Sequence, residues 1–136
     1  GHMVAIASIQ SKIGVPYHTG YVASKHALEG FCRALRYDLE GTGVTVLTVH
    51  PHWIRGTNLR TNACSADDQP VGDRKLAHTG ESISTAECSA AILKAIGNRD
   101  TELIIPAKLR FVPWLKLLWP GLLRRKIWSK INRQEN

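Results

Sequence analysis

Long apolar runs are missing from this sequence. Lys, Arg and Pro interrupt every hydrophobic stretch, whereas a spanning helix needs about 20 consecutive apolar residues, so no membrane-crossing segment is expected. Val4–Ala7 is likewise too short for the apolar centre of a secretory leader. Cysteines are few: Cys32, Cys64 and Cys88 are odd in number and lack metal-ligand spacing, which suits reduced thiols in a cytoplasmic protein. Acidic residues nearly vanish from the last quarter, where Glu135 is the one carboxylate among eight Lys and Arg between 103 and 136. Residues 1–102 hold ten basic and ten acidic side chains, so the net charge of +7 belongs wholly to the tail. A nucleic-acid-binding domain more often spreads its charge over a folded face, and no nucleic-acid partner is expected. There is no internal repeat, and 43% hydrophobic content with mixed charge excludes a disordered or collagen-like chain.

What is present suits one domain of 136 residues. Gly1-His2-Met3 reads as a cloning scar. Val4–Ala7 predicts a buried strand, followed by a polar, turn-forming stretch from Ser8 to Gly20. A helix is expected over Tyr21–Glu40, with Leu28, Phe31, Leu35 and Leu39 as its apolar stripe, Glu29 and Arg33 as an i,i+4 pair, Thr19 as N-cap and Gly41-Thr42-Gly43 as its stop. Val44–Val49 is β-branched and apolar on both faces, as strands inside parallel sheets are, and Pro51 should end it. Pro51–Gly80 is a long polar stretch. Ser84-Thr85-Ala86-Glu87 predicts a capped second helix to about Ile96, and Glu102–Ile105 a last strand before Pro106. Strand and helix in alternation imply an α/β fold with a parallel sheet, in a body over 4–106 followed by a basic, Trp-containing segment over 107–136.

Tyr21 and Lys25 stand four apart, on one helix face. An ammonium beside a phenol favours the phenolate, the form that removes a proton from an alcohol. Ser8, at the end of the preceding strand, is placed to hydrogen-bond the oxygen on which Tyr21 would act. Tyr-x-x-x-Lys alone is a weak signal, since most such pairs are amphipathic-helix residues with a solvated lysine. The serine 13 positions earlier, the run Tyr21-Val22-Ala23-Ser24-Lys25-His26-Ala27-Leu28 with Gly30-Phe31, and the strand Val44–Val49 ending in Pro51 together closely resemble the short-chain dehydrogenase/reductase family.

That resemblance implies the C-terminal part of a Rossmann-like, doubly wound parallel sheet, about three strands with flanking helices, incomplete without an N-terminal half. It implies hydride transfer between NAD or NADP and a small carbonyl or secondary alcohol, with Tyr21 as acid/base, Lys25 beside it and on the nicotinamide ribose, and Ser8 orienting the substrate oxygen. Pro51, Ile54 through its backbone, and Thr57 near the pyrophosphate would complete the cofactor contacts. The chain departs from the family pattern in having His52 after Pro51 where glycine is usual, and Gly56 where threonine is expected. No glycine-rich phosphate-binding turn occurs, so the isolated chain is expected to be inactive. Homo-oligomers are expected through the edge of the first strand or through the Tyr21–Glu40 helix. The alternative reading is a non-catalytic truncated product acting as a self-associating or peripheral membrane module.

Other candidates have plainer readings. His50-Pro51-His52 has no third ligand at supporting spacing, so no metal is expected. Cys32 reads as a small core residue, and Asp67, Asp68 and Asp73 as a solvated loop. In the tail, tryptophans beside Lys and Arg suit an anionic membrane surface. Leu123, Ile127 and Ile131 form only a narrow stripe with Arg124 near its middle, which better suits packing over the substrate cleft or a partner subunit.

Overall fold

The computed structural model describes residues 1–57 and 82–132. Cys64, Asp67, Asp68 and Asp73 lie outside the described residues, as does most of the polar stretch after Pro51. Three parallel strands form the main sheet: β1 (His2–Ile6), β2 (Thr45–Pro51) and β5 (Glu102–Ile105), side by side in that order. Helix α1 (Thr19–Asp38) connects β1 to β2, and α2 (Thr85–Gly97) precedes β5. Beyond β5 the chain makes a 3₁₀ turn (Ala107–Phe111) and two helices, α3 (Val112–Leu118) and α4 (Pro120–Asn132). This is the expected α/β architecture.

Several boundaries differ for local reasons. His2 and Met3 continue β1 rather than preceding it, because their backbone extends the ladder opposite Thr45 and Val46. His18, not Thr19, is the N-cap of α1: its carbonyl already accepts the first helical bond from the Val22 amide at 2.8 Å. The helix stops at Asp38, two residues early, because Gly41 and Gly43 turn the chain through left-handed φ values of +78° and +73°. Pro51 ends β2 as expected, as its last residue, facing Ile105, where its missing N–H falls at the end of the ladder; the next amide, of His52, bonds the Ile105 carbonyl at 2.8 Å. The second helix is capped as expected. Ser84 and Glu87 close a reciprocal capping box. A further parallel pair of two-residue strands, β3 (Ile54–Arg55) and β4 (Ile83–Ser84), went unforeseen because two residues carry no periodicity.

The two faces of the sheet differ in kind. Leu47 and Val49 of β2 and Ile105 of β5 bury against Cys88 and Ala95 of α2 in an apolar layer. On the opposite face, Thr48 and His50 are fully buried beneath α1. That helix offers the sheet its row Lys25, Glu29, Cys32 and Arg36. Cys32 is a buried core residue, and the Arg36 guanidinium caps the Val46 carbonyl at 3.0 Å and the Thr101 carbonyl at 2.6 Å. Phe31, expected to face inward, is 61% exposed because this row takes the inward positions.

Candidate active site

In a parallel sheet with helical crossovers, ligands gather at the carboxyl ends of the strands, and the candidate residues follow those ends. Ser8 lies two residues beyond β1, buried, with an extended backbone; its Oγ accepts the Gln10 amide at 3.2 Å and caps a 3₁₀ turn over Ile9–Ser11. That bond uses an oxygen lone pair and leaves the hydroxyl proton available. Tyr21 stands in the first turn of α1, 41% exposed. The Lys25 ammonium lies 5.6 Å from the centre of the Tyr21 ring and donates to the Ile6 carbonyl at 3.1 Å. Tyr21, Lys25 and the end of β1 are thus drawn to one place.

The Lys25 bond to Ile6 has a backbone cause. Gly1 and Ala7 turn their polar groups to β2, through Thr45 and Val49 at 2.9 and 2.8 Å. By alternation, the groups of His2, Val4 and Ile6 face the outer edge of β1, where no strand pairs among the described residues. Lys25 satisfies one of them.

Pro51 closes β2, Ile54 is half-buried in β3, and Thr57 is exposed just beyond. Gly56 between them takes a φ of +76°. A threonine there would be strained, which gives the glycine at the family's threonine position a conformational reason. Over the chain between Ser8 and α1 packs the C-terminal segment: Lys116 donates to the Lys12 carbonyl at 3.1 Å, and Trp128 meets Tyr17 edge-on at 6.3 Å. A cavity of about 290 Å³ lies there, lined by Ile13, Pro16, Leu123 and Ile127 among others. The narrow Leu123 stripe of α4 therefore faces the body.

The sequence reading missed an ionic cluster under α1. Lys12 binds Glu29 at 2.7 Å and also Glu102, and His50 Nε2 lies 3.2 Å from an oxygen of each carboxylate. Arg33 reaches Glu29 at 3.1 Å from the solvent side, as the i,i+4 spacing foretold. Ser11 Oγ gives its proton to the Ser8 carbonyl at 2.6 Å, so at 2.7 Å it accepts one from His50 Nδ1. With Nδ1 protonated, a neutral ring would aim the lone pair of Nε2 at two carboxylates. That arrangement favours the protonated ring, which ties the turn carrying Ser8 to the end of β2. Glu29, His50 and Glu102 place ligand atoms within 4.8 Å of one another, a set able to hold a cation. The Lys12 ammonium serves there as that cation. Spacing near His50-Pro51-His52 showed none of this, because Glu29 and Glu102 come from remote parts of the chain.

Burial opposes the charge on His50, but the Glu102 and Glu29 contacts outweigh it and raise the pKa above 6.5. The His50 contact first, then Lys12, hold Glu29 well below the carboxylate range and Glu102 at about 2, against the opposing effect of burial. The His50 contribution to stability is complete below its unfolded value of about 6.5 and lost as pH rises through the raised one. The carboxylate contributions are complete above about 4.5 and lost as pH falls towards their lowered values. Thermal unfolding should accordingly show greatest stability at mildly acidic pH, falling on both sides. His50→Gln should flatten the alkaline limb; an unchanged limb would exclude His50 as its source.

The sequence comparisons agree with this geometry. Residues 1–68 match the family model for short chain dehydrogenases. The chain is 34% identical to dehydrogenase/reductase SDR family member 7B of Mus musculus, over 98% of this chain and 41% of that protein, and 32% identical to the Danio rerio protein, over 98% and 43%. It thus spans less than half the length of these relatives. A short chain dehydrogenase from Burkholderia cenocepacia, solved with NADP, shares the fold with a TM-score of 0.69 at 20% identity, over 93% of this chain and 47% of that one. A relative from Burkholderia phymatum, solved with NAD, has a TM-score of 0.63 at 20% identity, over 90% and 48%. With a parallel sheet of this order, the serine-to-tyrosine spacing and a family match over half its length, the chain belongs to the short-chain dehydrogenases.

Proposed function

We propose that this chain carries the catalytic portion of an oxidoreductase that interconverts a carbonyl and a secondary alcohol. The observation that carries the reading is the Lys25 ammonium held between the Tyr21 ring and the end of the strand that leads to Ser8. The donor set suits the nicotinamide end of NAD or NADP: the Lys25 ammonium stands by the Tyr21 ring, Ser8 follows the end of β1, and Pro51, Ile54 and Thr57 lie at or beyond the end of β2. When bound, the nicotinamide supplies or accepts the hydride. In reduction, Tyr21 gives its proton to the substrate oxygen, and in oxidation it takes that proton back. Lys25 binds the ribose hydroxyls, while Ser8 hydrogen-bonds the substrate oxygen and fixes its position.

As a separate polypeptide of 136 residues the chain has no glycine-rich turn to hold the pyrophosphate, so it is expected neither to retain NAD(P) nor to turn over. Co-expression with the N-terminal half of a family relative should restore cofactor binding and alcohol-dependent reduction of NAD(P). A complex that binds cofactor but stays inactive towards a panel of alcohols and carbonyls would refute the catalytic assignment. The open edge of β1, and α1 with Phe31 and Tyr37 exposed, support assembly into homo-oligomers. Cys32 and Cys88, both free and buried, suit a reducing cytoplasmic setting.

A further inference from the structure

The helices after β5 carry their apolar side chains on two opposite sides. In α3, Val112 and Leu115 are half-buried against the body, and Lys116 is anchored on the Lys12 carbonyl. Phe111, Trp114, Leu117 and Leu118 face outward, with Trp119 at the corner into α4; each is more than half exposed. Positions 111, 114 and 118 fall on one helix face, so the outward side of α3 is an apolar row rather than a scatter. In α4 the arrangement is reversed. Leu123, Ile127 and Ile131 turn inward while Arg124, Arg125 and Lys126 are exposed. Among the described residues after Glu102 there is no acidic side chain.

We propose that this corner is a docking surface for an anionic phospholipid bilayer, with the outward row of α3 entering the boundary between headgroups and acyl chains and the cations of α4 meeting lipid phosphates. No described helix is long and apolar enough to cross a membrane, so the segment lies on the surface. A second copy of the chain fits poorly, because pairing two such faces would juxtapose their Arg124-Arg125-Lys126 clusters. Nucleic acid would engage the cations but leave Leu117, Leu118 and Phe111 in water. The docking does not depend on the oxidoreductase reading.

Sedimentation of the full chain with vesicles tests the proposal. Phosphatidylcholine vesicles containing phosphatidylserine should bring the chain down, phosphatidylcholine alone far less, and added salt should release it. Trp114→Ser with Leu117→Ser and Leu118→Ser should lower the apparent affinity for the anionic vesicles about tenfold or more. Arg125→Glu with Lys126→Glu should weaken binding to anionic vesicles only. All these side chains are exposed, and circular dichroism should confirm unchanged helix content in both variants. Absence of binding to anionic vesicles, or equal binding by the serine variant, would overturn the proposal. So would a lipid-free dimer that the serine variant dissolves.

Discussion

Glu29→Gln is expected to cost about 3–5 kcal/mol of folding stability, the range for removing one partner of a buried ion pair. The side chain of Glu29 is only 10% exposed, and it faces the ammonium of Lys12 and the fully buried ring of His50. The amide that replaces it presents either a neutral oxygen or hydrogens to two positive groups. Glu102, 43% exposed on its side chain, cannot neutralise both at the same strength. Urea denaturation measures the loss as a shift in midpoint at unchanged slope. Combining Glu29→Gln with Lys12→Met should cost less than the two single changes together, since the second change removes the cation that the first stranded. Strict additivity would mean that the two groups are not coupled.

Tyr21→Phe should lower kcat of the restored enzyme by about 10²–10⁴, the usual contribution of one positioned acid/base, and leave cofactor affinity nearly unchanged. The hydroxyl is lost while the ring keeps its packing, and a side chain 41% exposed is replaced without burying a void. Lys25→Met should behave differently. It should weaken cofactor binding as well as turnover, because in the proposed mechanism the same ammonium serves the ribose and the phenol. A Tyr21→Phe enzyme that retains its rate would make the phenol a bystander. Equal losses of cofactor affinity in both variants would indicate a structural fault rather than two distinct roles.

Much of this architecture was legible because it rests on local rules. The Glu102–Ile105 strand and the Ser84–Glu87 capping box are set by β-branched runs and by spacing, and both stand where expected. The Ser8, Tyr21 and Lys25 set was proposed from likeness to a family, and of it the structure shows Lys25 standing by Tyr21. The ionic cluster was not legible. Lys12, Glu29, His50 and Glu102 are scattered along the chain, and no local spacing links them. For the same reason α1 misled: apolar periodicity marked Phe31 as inward, while the helix turns Glu29 and Arg36 to the sheet and satisfies them there. In α3 the residue types were visible, but only the packing of Lys116 shows which side is outermost.

The unlike faces of β2 give its two attachments opposite thermal responses. The contact of Leu47 and Val49 with α2 weakens on cooling, as apolar association does. The desolvation cost of the charges between β2 and α1 declines on warming. Cold therefore loosens the strand from α2 first, and acid loosens it from α1.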